Sequence, residues 1–400
     1  MPIAQRGTRG SDSDRTTARP RLGVLATHPI QYQAPLYRQL AHRGIVDLDV
    51  AFLSSDGVRP FHDPDFGVTL AWDIDLLGGY RSTVLERRPL AGKAAWLVSA
   101  SRWLRRQDIV VLHGHSDPDM LLAAAACRLL GIPYLLRGDS QAESSASGLR
   151  RIARHLVAGV VVGNAAGALP IGRRNADFYR RYGRIPRYLA PYSVDNERFR
   201  ATSDAARPSR AERLTSLGLE PRRPTVIFSG KLIAQKRPLD LVRAIECAGA
   251  EFNLLLLGDG PLRPQVLGYE ERLPVRCLGF VNQAELPCWY GCGDLLALPS
   301  GREPWGLVVN EGMACGLIPV VSDVVGCGPD LVDGLGEIFP VGDVDALAAA
   351  LQRAAADAPG RRGRLAERLA GFTIAATAAG YEQAAMALGR HRRRLSRVGV

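Results

Sequence analysis

The 400-residue sequence lacks any long hydrophobic run. Its longest apolar stretches, such as residues 120–126, fall far short of the ~18–20 residues that a membrane-spanning helix needs. Residues 1–20 are rich in Arg, Ser, Thr, Gly and Asp and contain no apolar segment of the kind that secretory signals carry. We therefore expect a disordered tail over residues 1–20 and a cytoplasmic protein.

Cysteine is scarce and irregularly spaced, with seven residues and no C-x-x-C pair. Most of the cysteines lie within apolar runs, which is typical of reduced, buried cysteines in a cytosolic protein. Cys288 and Cys292 are four positions apart, a spacing that can share one helix face, so a metal role there is a minor alternative. The G-x-G-x-x-G fingerprint is also missing after the first predicted strand, residues 22–26, which argues against a dehydrogenase.

Charge is distributed very unevenly along the chain. Residues 1–200 hold 28 Lys and Arg against 18 Asp and Glu, a net charge of +10, whereas residues 201–400 have a net charge of +1. Residues 150–200 alone contain 11 Arg and three acids. No recognition helix, zinc finger or aromatic RNA-binding pattern accompanies this excess, so we expect no nucleic-acid partner.

A basic face of this kind suits an anionic membrane surface, where each basic residue contributes ~1 kcal/mol to reversible attachment. We therefore predict peripheral association with the inner face of the plasma membrane. The alternative is a solvated arginine-rich face with no partner. The arginines concerned are Arg150, Arg151, Arg154, Arg173, Arg174, Arg180, Arg181, Arg184 and Arg187.

Strand-like and helix-like segments alternate in both halves of the chain, which predicts an α/β protein with two Rossmann-like, doubly wound domains facing across a cleft. The predicted strands are 22–26, 46–53, 109–112, 134–136, 160–162, 187–190, 225–229, 253–257, 275–278, 295–298 and 318–321. The predicted helices are 33–42, 90–106, 117–130, 238–247, 305–315, 345–356 and 374–388. Residues 54–90 are expected to be irregular.

The predicted division is a tail (1–20), an N-terminal Rossmann-like domain (21–200), a linker (201–224) and a C-terminal Rossmann-like domain (225–372). A C-terminal helix within 373–400 is expected to pack back toward the N-terminal domain. Ligands of such sheets bind beyond the carboxyl ends of the strands, so functional residues are expected directly after strands.

Two glutamates follow the predicted strand 295–298. Glu303 lies in a loop next to Pro304, and Glu311 lies one to two turns inside the helix that begins near residue 305. The free N–H groups and positive dipole at the start of that helix suit a diphosphate. Carboxylates accept hydrogen bonds from vicinal hydroxyls, so we expect Glu303 to hold a transferred sugar and Glu311 a ribose. A purely structural role for both acids is the alternative.

The run from Glu303 to Gly316, EPWGLVVNEGMACG, resembles the donor-site motif of family 4 glycosyltransferases, which are retaining enzymes of the GT-B fold. The similarity extends over 225–351 and includes the segments 228–232, 235–240, 256–261, 278–280 and 341–343. It implies a nucleoside diphosphate sugar as substrate, with no cofactor. The donor-binding residues that it implies are Lys231, Lys236, Glu303, Trp305, Gly306, Leu307 and Glu311.

Lysines at positions 231 and 236 also suit this chemistry on physical grounds. A leaving nucleoside diphosphate gains negative charge, which two lysines can stabilise without a divalent metal ion. Lys231 stands where the family more usually has arginine. Of these donor residues, Glu303 and Lys236 are predicted to act in catalysis.

The first half resembles the family more loosely. His115 best matches the family's histidine that faces the donor sugar and is a predicted catalytic residue, with His113 second. The loop 27–35, THPIQYQAP, resembles a bacterial subgroup of these transferases and lacks the Gly-Gly that many members have there. Acceptor or cleft contacts are expected from His28, Gln31, Tyr32, Arg137 and Asp139.

The sequence therefore predicts a retaining hexosyltransferase that serves bacterial cell-surface polysaccharide or glycolipid synthesis, with a lipid-linked or anionic acceptor. Two alternatives remain open at this point. One is a glycosyltransferase of a soluble natural product. The other is a sugar-nucleotide epimerase or a phosphorylase on the same fold.

Overall fold

The computed structural model describes residues 19–63, 67–141, 148–249 and 251–398. The predicted tail therefore lies outside the described residues up to residue 18. Two six-stranded sheets form the frame of the molecule, and all of their strand pairs are parallel.

The first half supplies one sheet and a separate short hairpin. Its strands are β1 (Arg21–Ala26), β2 (Asp47–Phe52), β3 (Phe61–Asp63), β4 (Val68–Leu70), β5 (Ser82–Val84), β6 (Ile109–His113), β7 (Tyr134–Arg137) and β8 (Gly167–Ala168). The sheet has the order β5-β2-β1-β6-β7-β8. Strands β3 and β4 pair only with each other, in antiparallel fashion.

The second half repeats this topology. Its strands are β9 (Thr225–Ser229), β10 (Asn253–Leu257), β11 (Val275–Gly279), β12 (Leu295–Leu298), β13 (Ile318–Ser322) and β14 (Glu337–Phe339). The order is β11-β10-β9-β12-β13-β14, so both sheets place their strands as third-second-first-fourth-fifth-sixth. This is the doubly wound order of a Rossmann fold and confirms the predicted fold class.

Helices cover the sheets on both faces. They are α1 (Ala34–Arg43), α2 (Lys93–Leu104), α3 (Pro118–Leu129), α4 (Gly148–Gly163), α5 (Arg173–Tyr182), α6 (Asn196–Ala206), α7 (Arg210–Ser216), α8 (Pro238–Cys247), α9 (Arg263–Leu267), α10 (Leu286–Tyr290), α11 (Leu307–Ala314), α12 (Val344–Ala356), α13 (Ala358–Leu369) and α14 (Ile374–Val398). Strands β9, β10 and β12 are buried along their whole length, as strands of a parallel sheet covered by helices must be.

Two predicted strands of the first half are wrong. Residues 160–162 lie inside α4, and residues 187–190 contribute only an isolated bridge from Arg187 to Ala168. A run of three valines has strand propensity, but the helix continues through Gly159 and the valines, because Val161 and Val162 there pack into the core of the first half. Conversely, β3, β4 and β5 arise within the segment 54–90 that was expected to be irregular.

The segment 201–224 is largely helical and is not an extended linker. Helix α7 and the end of α6 lie in it, and Leu214 and Leu219 are buried in the core of the second sheet. Apolar positions between the prolines, rather than the prolines themselves, determine where this segment packs.

The last helix crosses back to the first half. Arg43 on α1 donates two hydrogen bonds to the Glu382 carboxylate, at 2.8 and 3.0 Å. The hydroxyl groups of Ser193 and Thr377 are 2.8 Å apart at the crossing. None of the helices in the described part of the chain combines the length and apolar character that crossing a bilayer requires.

Candidate active site

The carboxyl edges of the two sheets face each other, and the predicted site residues lie along them. His113 ends β6, Arg137 ends β7, Lys231 follows β9, and the loop that carries Glu303 follows β12. The Gln141 side-chain amide closes part of the gap, since it donates to the backbone carbonyls of Glu303 at 3.2 Å and of Pro304 at 2.7 Å. These bonds join the first half directly to the loop of the second half.

The Glu303 carboxylate forms an ion pair with the Lys236 ammonium group. The Ser300 hydroxyl lies 3.4 Å from the same carboxylate oxygen, and the Glu303 carbonyl accepts a hydrogen bond from the Gly326 N–H at 2.9 Å. A Cβ on Gly326 would come within 1.9 Å of the Pro304 carbonyl oxygen, so only glycine allows this close approach. The loop therefore holds Glu303 in a fixed position beside a cation.

Lys231 is also paired with a carboxylate, but with one from the other half of the molecule. Its Nζ lies 3.0 Å from Asp63 Oδ1 at the end of β3. Sequence analysis did not identify Asp63, because nothing in the segment 54–90 relates it to position 231. Both lysines expected to bind a diphosphate thus have an anionic partner.

Helix α11 begins at Leu307, after Gly306 in a left-handed conformation with φ of 95°. No side chain caps this end, so the first N–H groups of the helix are free of a side-chain acceptor. A Cβ on Gly306 would lie 3.4 Å from Glu303 Cγ, which places the helix start next to the Glu303 side chain. The backbone at Gly306 and Leu307 is accordingly suited to receive an anion.

Glu311 lies one turn further along α11 and is buried. The Tyr290 hydroxyl donates to its Oε2 at 2.8 Å. Burial raises the pKa of Glu311 to about 7, although the Tyr290 hydrogen bond and the Arg198 guanidinium oppose the rise. The carboxyl group therefore titrates near neutral pH, while one of its two oxygens already has a partner.

The side chain of Trp305, which is among the predicted donor-binding residues, is buried. Its Nε1–H donates to Asn310 at 2.9 Å, and its ring packs edge-on against Tyr192 and at a tilt against Phe372, each 6.1 Å away between ring centroids. Gly172 from the first half lies against the same ring. The indole fills the junction between the two halves because a ring of this size contributes most when buried.

His113 is half-buried, and both of its ring nitrogens have a partner. Gln33 Nε2 lies 3.1 Å from Nδ1, and the Tyr381 hydroxyl lies 3.0 Å from Nε2. Burial, together with the charge on Arg137, lowers the pKa of His113 to about 3, so the imidazole is neutral. His113 links α1 and α14 to the sheet, and its role at the cleft stays a prediction.

The Arg137 side chain is buried among groups of the protein itself. Its guanidinium donates to the Ala190 carbonyl at 2.7 Å and lies over the rings of Tyr192 and Tyr381, at 5.1 and 5.2 Å. A buried arginine between two aromatic rings fixes the crossing segment rather than lining the cleft. The expectation that Arg137 contacts an acceptor is therefore not met by its position.

His115 and Asp139 do line a cavity together with Glu303. The cavity has a volume of about 810 Å³ and lies between the halves. The His115 ring packs on Phe178 with centroids 5.1 Å apart, and burial lowers the pKa of His115. Burial and the nearby Glu303 raise the pKa of Asp139. The structure thus brings together a neutral imidazole and two carboxyl groups.

The loop after β1 lies at a second, smaller cavity of about 400 Å³. His28 lines it with Asp56, its Nδ1 lies 3.0 Å from the Thr27 hydroxyl, and burial lowers its pKa. Tyr32 instead packs edge-on against Tyr192, 5.4 Å between centroids, and Gln31 is half-buried on the turn before α1. Of the three predicted acceptor residues in this loop, His28 is the one that lines this cavity.

In the part of the chain that the structure describes, no three His, Cys, Asp or Glu side chains come together as a metal site would require. Cys288 and Cys292 lie on one helical turn, and the Cys292 sulfur lies 3.8 Å from the Cys288 carbonyl oxygen.

Known proteins resemble both the sequence and the fold. The family model described as Glycosyl transferases group 1 matches residues 223–357. A D-inositol 3-phosphate glycosyltransferase of Xylanimonas cellulosilytica is 32% identical over 230 residues, which cover 53% of this chain and about half, 52%, of the relative. A 2-deoxystreptamine N-acetyl-D-glucosaminyltransferase of Streptomyces fradiae is 31% identical over 295 residues, covering 66% of this chain and 67% of the relative.

Among solved structures, Anabaena Alr3699/HepE in complex with UDP and glucose has a TM-score of 0.72 at 16% identity, covering 93% of this chain and 100% of that chain. The two facing Rossmann-like sheets are those of a GT-B glycosyltransferase. The chain belongs to the family of group 1 glycosyl transferases.

Proposed function

We propose that this protein transfers a hexosyl unit from a nucleoside diphosphate sugar to an acceptor hydroxyl with retention of the anomeric configuration, as a family 4 enzyme of the subgroup that its His-Pro-Ile-Gln-Tyr loop resembles. The observation that carries the proposal is the Glu303–Lys236 ion pair at the wall of the interdomain cavity, beside the uncapped start of α11. A carboxylate that can accept hydrogen bonds from sugar hydroxyls therefore lies next to a cation and to helix N–H groups that can bind a diphosphate.

In this proposal Lys231, Lys236 and the N–H groups at Gly306 and Leu307 bind the diphosphate, which gains charge as it leaves. Glu303 accepts hydrogen bonds from the transferred sugar, and the free oxygen of Glu311 accepts one from the ribose. Trp305 supports the donor loop from behind rather than touching the sugar.

The reaction requires no protein nucleophile. The acceptor oxygen bonds to the anomeric carbon on the face from which the diphosphate departs, the bond from that carbon to the diphosphate oxygen breaks, and the acceptor proton passes to a diphosphate oxygen. His115, held neutral by burial, is positioned in the cavity to hydrogen-bond a sugar hydroxyl. Closure of the two halves around the donor excludes water, which would otherwise hydrolyse it.

For the acceptor, we propose a lipid-linked or anionic molecule of cell-surface polysaccharide or glycolipid synthesis, reached at the inner face of the membrane. The excess charge of the first half supports this proposal. The side chains of Arg150 and Arg151 lie outside the described residues, whereas Arg154 is exposed and lines the cavity. A soluble natural-product acceptor is the second candidate, favoured by the similarity to the Streptomyces fradiae enzyme.

The test begins with a thermal-shift screen of nucleoside diphosphate sugars. A donor at ~100 times its dissociation constant adds ~2.7 kcal/mol to the free energy of unfolding. The donor identified is then incubated with lipid-linked and soluble acceptors, and the anomeric configuration of the product is read by NMR. Nucleotide release that occurs equally well without any acceptor, or a product of inverted configuration, contradicts the proposal.

We expect transfer to persist after exhaustive treatment with a chelator, because the proposal assigns the charge of the leaving diphosphate to Lys231 and Lys236. The measurement compares initial rates before and after chelation, with Mg²⁺ or Mn²⁺ added back. Complete loss that either metal ion restores would show that lysines alone do not stabilise the leaving group.

Replacing Asp63 by asparagine is expected to tighten donor binding by about three- to tenfold. In the wild type, Lys231 must give up its ion pair with Asp63 when it binds the diphosphate, and the variant has no such ion pair to lose. The measurement is the dissociation constant of the donor by calorimetry. The matched control is Asp75→Asn, since the Asp75 carboxylate accepts only from N–H groups of its own loop, at Leu77 and Gly78. Weaker donor binding in Asp63→Asn would instead make Asp63 a residue that orients Lys231 for the donor.

A further inference from the structure

Helix α4 exposes an apolar row to solvent. The side chains of Ile152, Leu156 and Val160, spaced by four residues, are 55%, 66% and 64% exposed, and Val157 beside them is 40% exposed. The opposite side of the helix is also apolar, since Ala158, Val161 and Val162 are buried in the core of the first half. Because the inner side already anchors the helix, the outer row is not required for folding.

The surroundings of this row carry positive charge. Helix α4 contains no acidic residue and packs against α5, where the His155 and Tyr182 rings lie 5.8 Å apart. Arg154 on α4 is exposed, as are Arg184 and Arg187 in the turn after α5. Helix α4 thus combines an exposed apolar row with the exposed Arg154 and no acidic residue, which is the composition of a helix that lies in a lipid–water interface.

The same helix borders the interdomain cavity. Ala153, Arg154 and Val157 line the cavity that also contains His115 and Glu303. Val157 therefore belongs to both the exposed row and the cavity wall. A molecule whose apolar part rests on the row can place its polar head in the cavity without leaving the surface of α4.

We propose that the row Ile152, Leu156 and Val160 inserts into the surface of an anionic bilayer, so that an amphiphilic acceptor passes from the bilayer into the cavity along Val157. Acyl chains accept the apolar row, and anionic headgroups accept the surrounding arginines. A second copy of the chain fits this face less well, because a symmetric contact would place the arginines of one copy against those of the other. The part that concerns the acceptor rests on the proposed transferase function, whereas membrane binding does not.

The test is co-sedimentation of the full chain with vesicles of phosphatidylcholine, alone or with about one third phosphatidylglycerol, at about 0.05 M and about 0.5 M salt. The variant Ile152→Ser/Leu156→Ser removes the row, and Arg184→Glu/Arg187→Glu reverses the charge beside it. The matched control is Leu267→Ser in the second half, where the leucine side chain is 39% exposed. Circular dichroism and the donor-induced thermal shift report whether each variant folds and binds donor.

We expect the wild type and Leu267→Ser to bind anionic vesicles, and Ile152→Ser/Leu156→Ser to lose at least about tenfold in affinity at both salt concentrations. Arg184→Glu/Arg187→Glu is expected to lose affinity chiefly at low salt. An intact donor-induced shift in the double serine variant separates membrane docking from donor binding, so either can fail alone. The proposal is overturned if the wild type does not bind anionic vesicles at low salt. It is also overturned if the double serine variant binds vesicles normally but changes from dimer to monomer in size-exclusion chromatography, because the row would then contact a second copy of the chain.

Discussion

Replacing Glu303 by glutamine lowers the rate of sugar transfer by about 10²–10³-fold in the proposed mechanism, without loss of donor affinity, because Lys236 is then free of its carboxylate partner. The amide keeps the size of the side chain and one acceptor oxygen. It loses the negative charge, which strengthens the hydrogen bonds to sugar hydroxyls as positive charge develops at the anomeric carbon. It also removes the ionic partner of Lys236, so that the lysine remains beside the diphosphate without its fixed orientation.

The measurement is kcat and KM for the donor identified by thermal shift, with an acceptor that supports transfer. Glu285→Gln is the matched control, because Glu285 also lies in the second half and accepts a hydrogen bond, from Trp289 Nε1 at 2.9 Å, but does not line the cavity. A fall in kcat without a rise in KM distinguishes a transition-state contact from uniform donor binding. Activity of Glu303→Gln within threefold of the wild type contradicts the assignment of Glu303 to the transferred sugar.

The fold was predictable because it depends on patterns local in sequence. Strands β9, β10 and β12 are short apolar runs between turn residues. Lys231 follows β9 and Glu303 follows β12, so both residues must lie at the same edge of a parallel sheet. The pairing of Lys236 with Glu303 also follows from that topology, since both loops leave the same edge. The clustering of these three residues at one edge of the sheet was therefore predictable from sequence alone.

The remaining site residues depend on contacts between segments distant in the chain. Trp305 and Arg137 look like ligand residues in sequence, but Tyr192 packs against both, and Tyr192 lies where the chain crosses between the halves. Similarly, the Nε2 atom of His113 lies within hydrogen-bond distance of the hydroxyl group of Tyr381, a residue 268 positions away in the chain. No local pattern reports such packing, so burial of these polar groups became visible only in three dimensions.

Donor affinity is expected to depend on pH through Glu311. Its pKa of about 7 in the free protein, raised from 4.5 by burial, leaves the carboxyl group largely protonated in mildly acidic solution. The ribose hydroxyls donate hydrogen bonds, so they favour the carboxylate, whose Oε2 is occupied by Tyr290 and whose Oε1 is the acceptor proposed for the ribose. Donor binding must therefore expel the proton at low pH.

The expected result is a dissociation constant that falls up to about tenfold per pH unit below pH ~7 and levels off above it. A nucleoside diphosphate sugar is the suitable ligand, because its diphosphate is esterified at both ends and does not titrate in this range. Glu311→Gln should bind the donor about ten- to a hundredfold more weakly at pH ~8 and show no pH dependence. Tyr290→Phe removes a hydrogen bond that lowers the pKa of Glu311, so the midpoint should move to higher pH.

Folding stability should respond to the same group with the opposite sign. A carboxyl group whose pKa is higher in the folded state contributes stability that is complete below its unfolded value of 4.5 and is lost as the pH rises through about 7. The melting temperature of Glu311→Gln without donor should therefore rise relative to that of the wild type between pH ~4.5 and pH ~7, where the folded wild type retains a proton that its unfolded state has released. Above pH ~7 the difference should level off, because both states of the wild type are then ionised. A constant difference in melting temperature between the wild type and Glu311→Gln across this pH range would show that Glu311 does not titrate near neutrality. A shared pH profile for donor affinity would show that Glu311 does not contact the ribose.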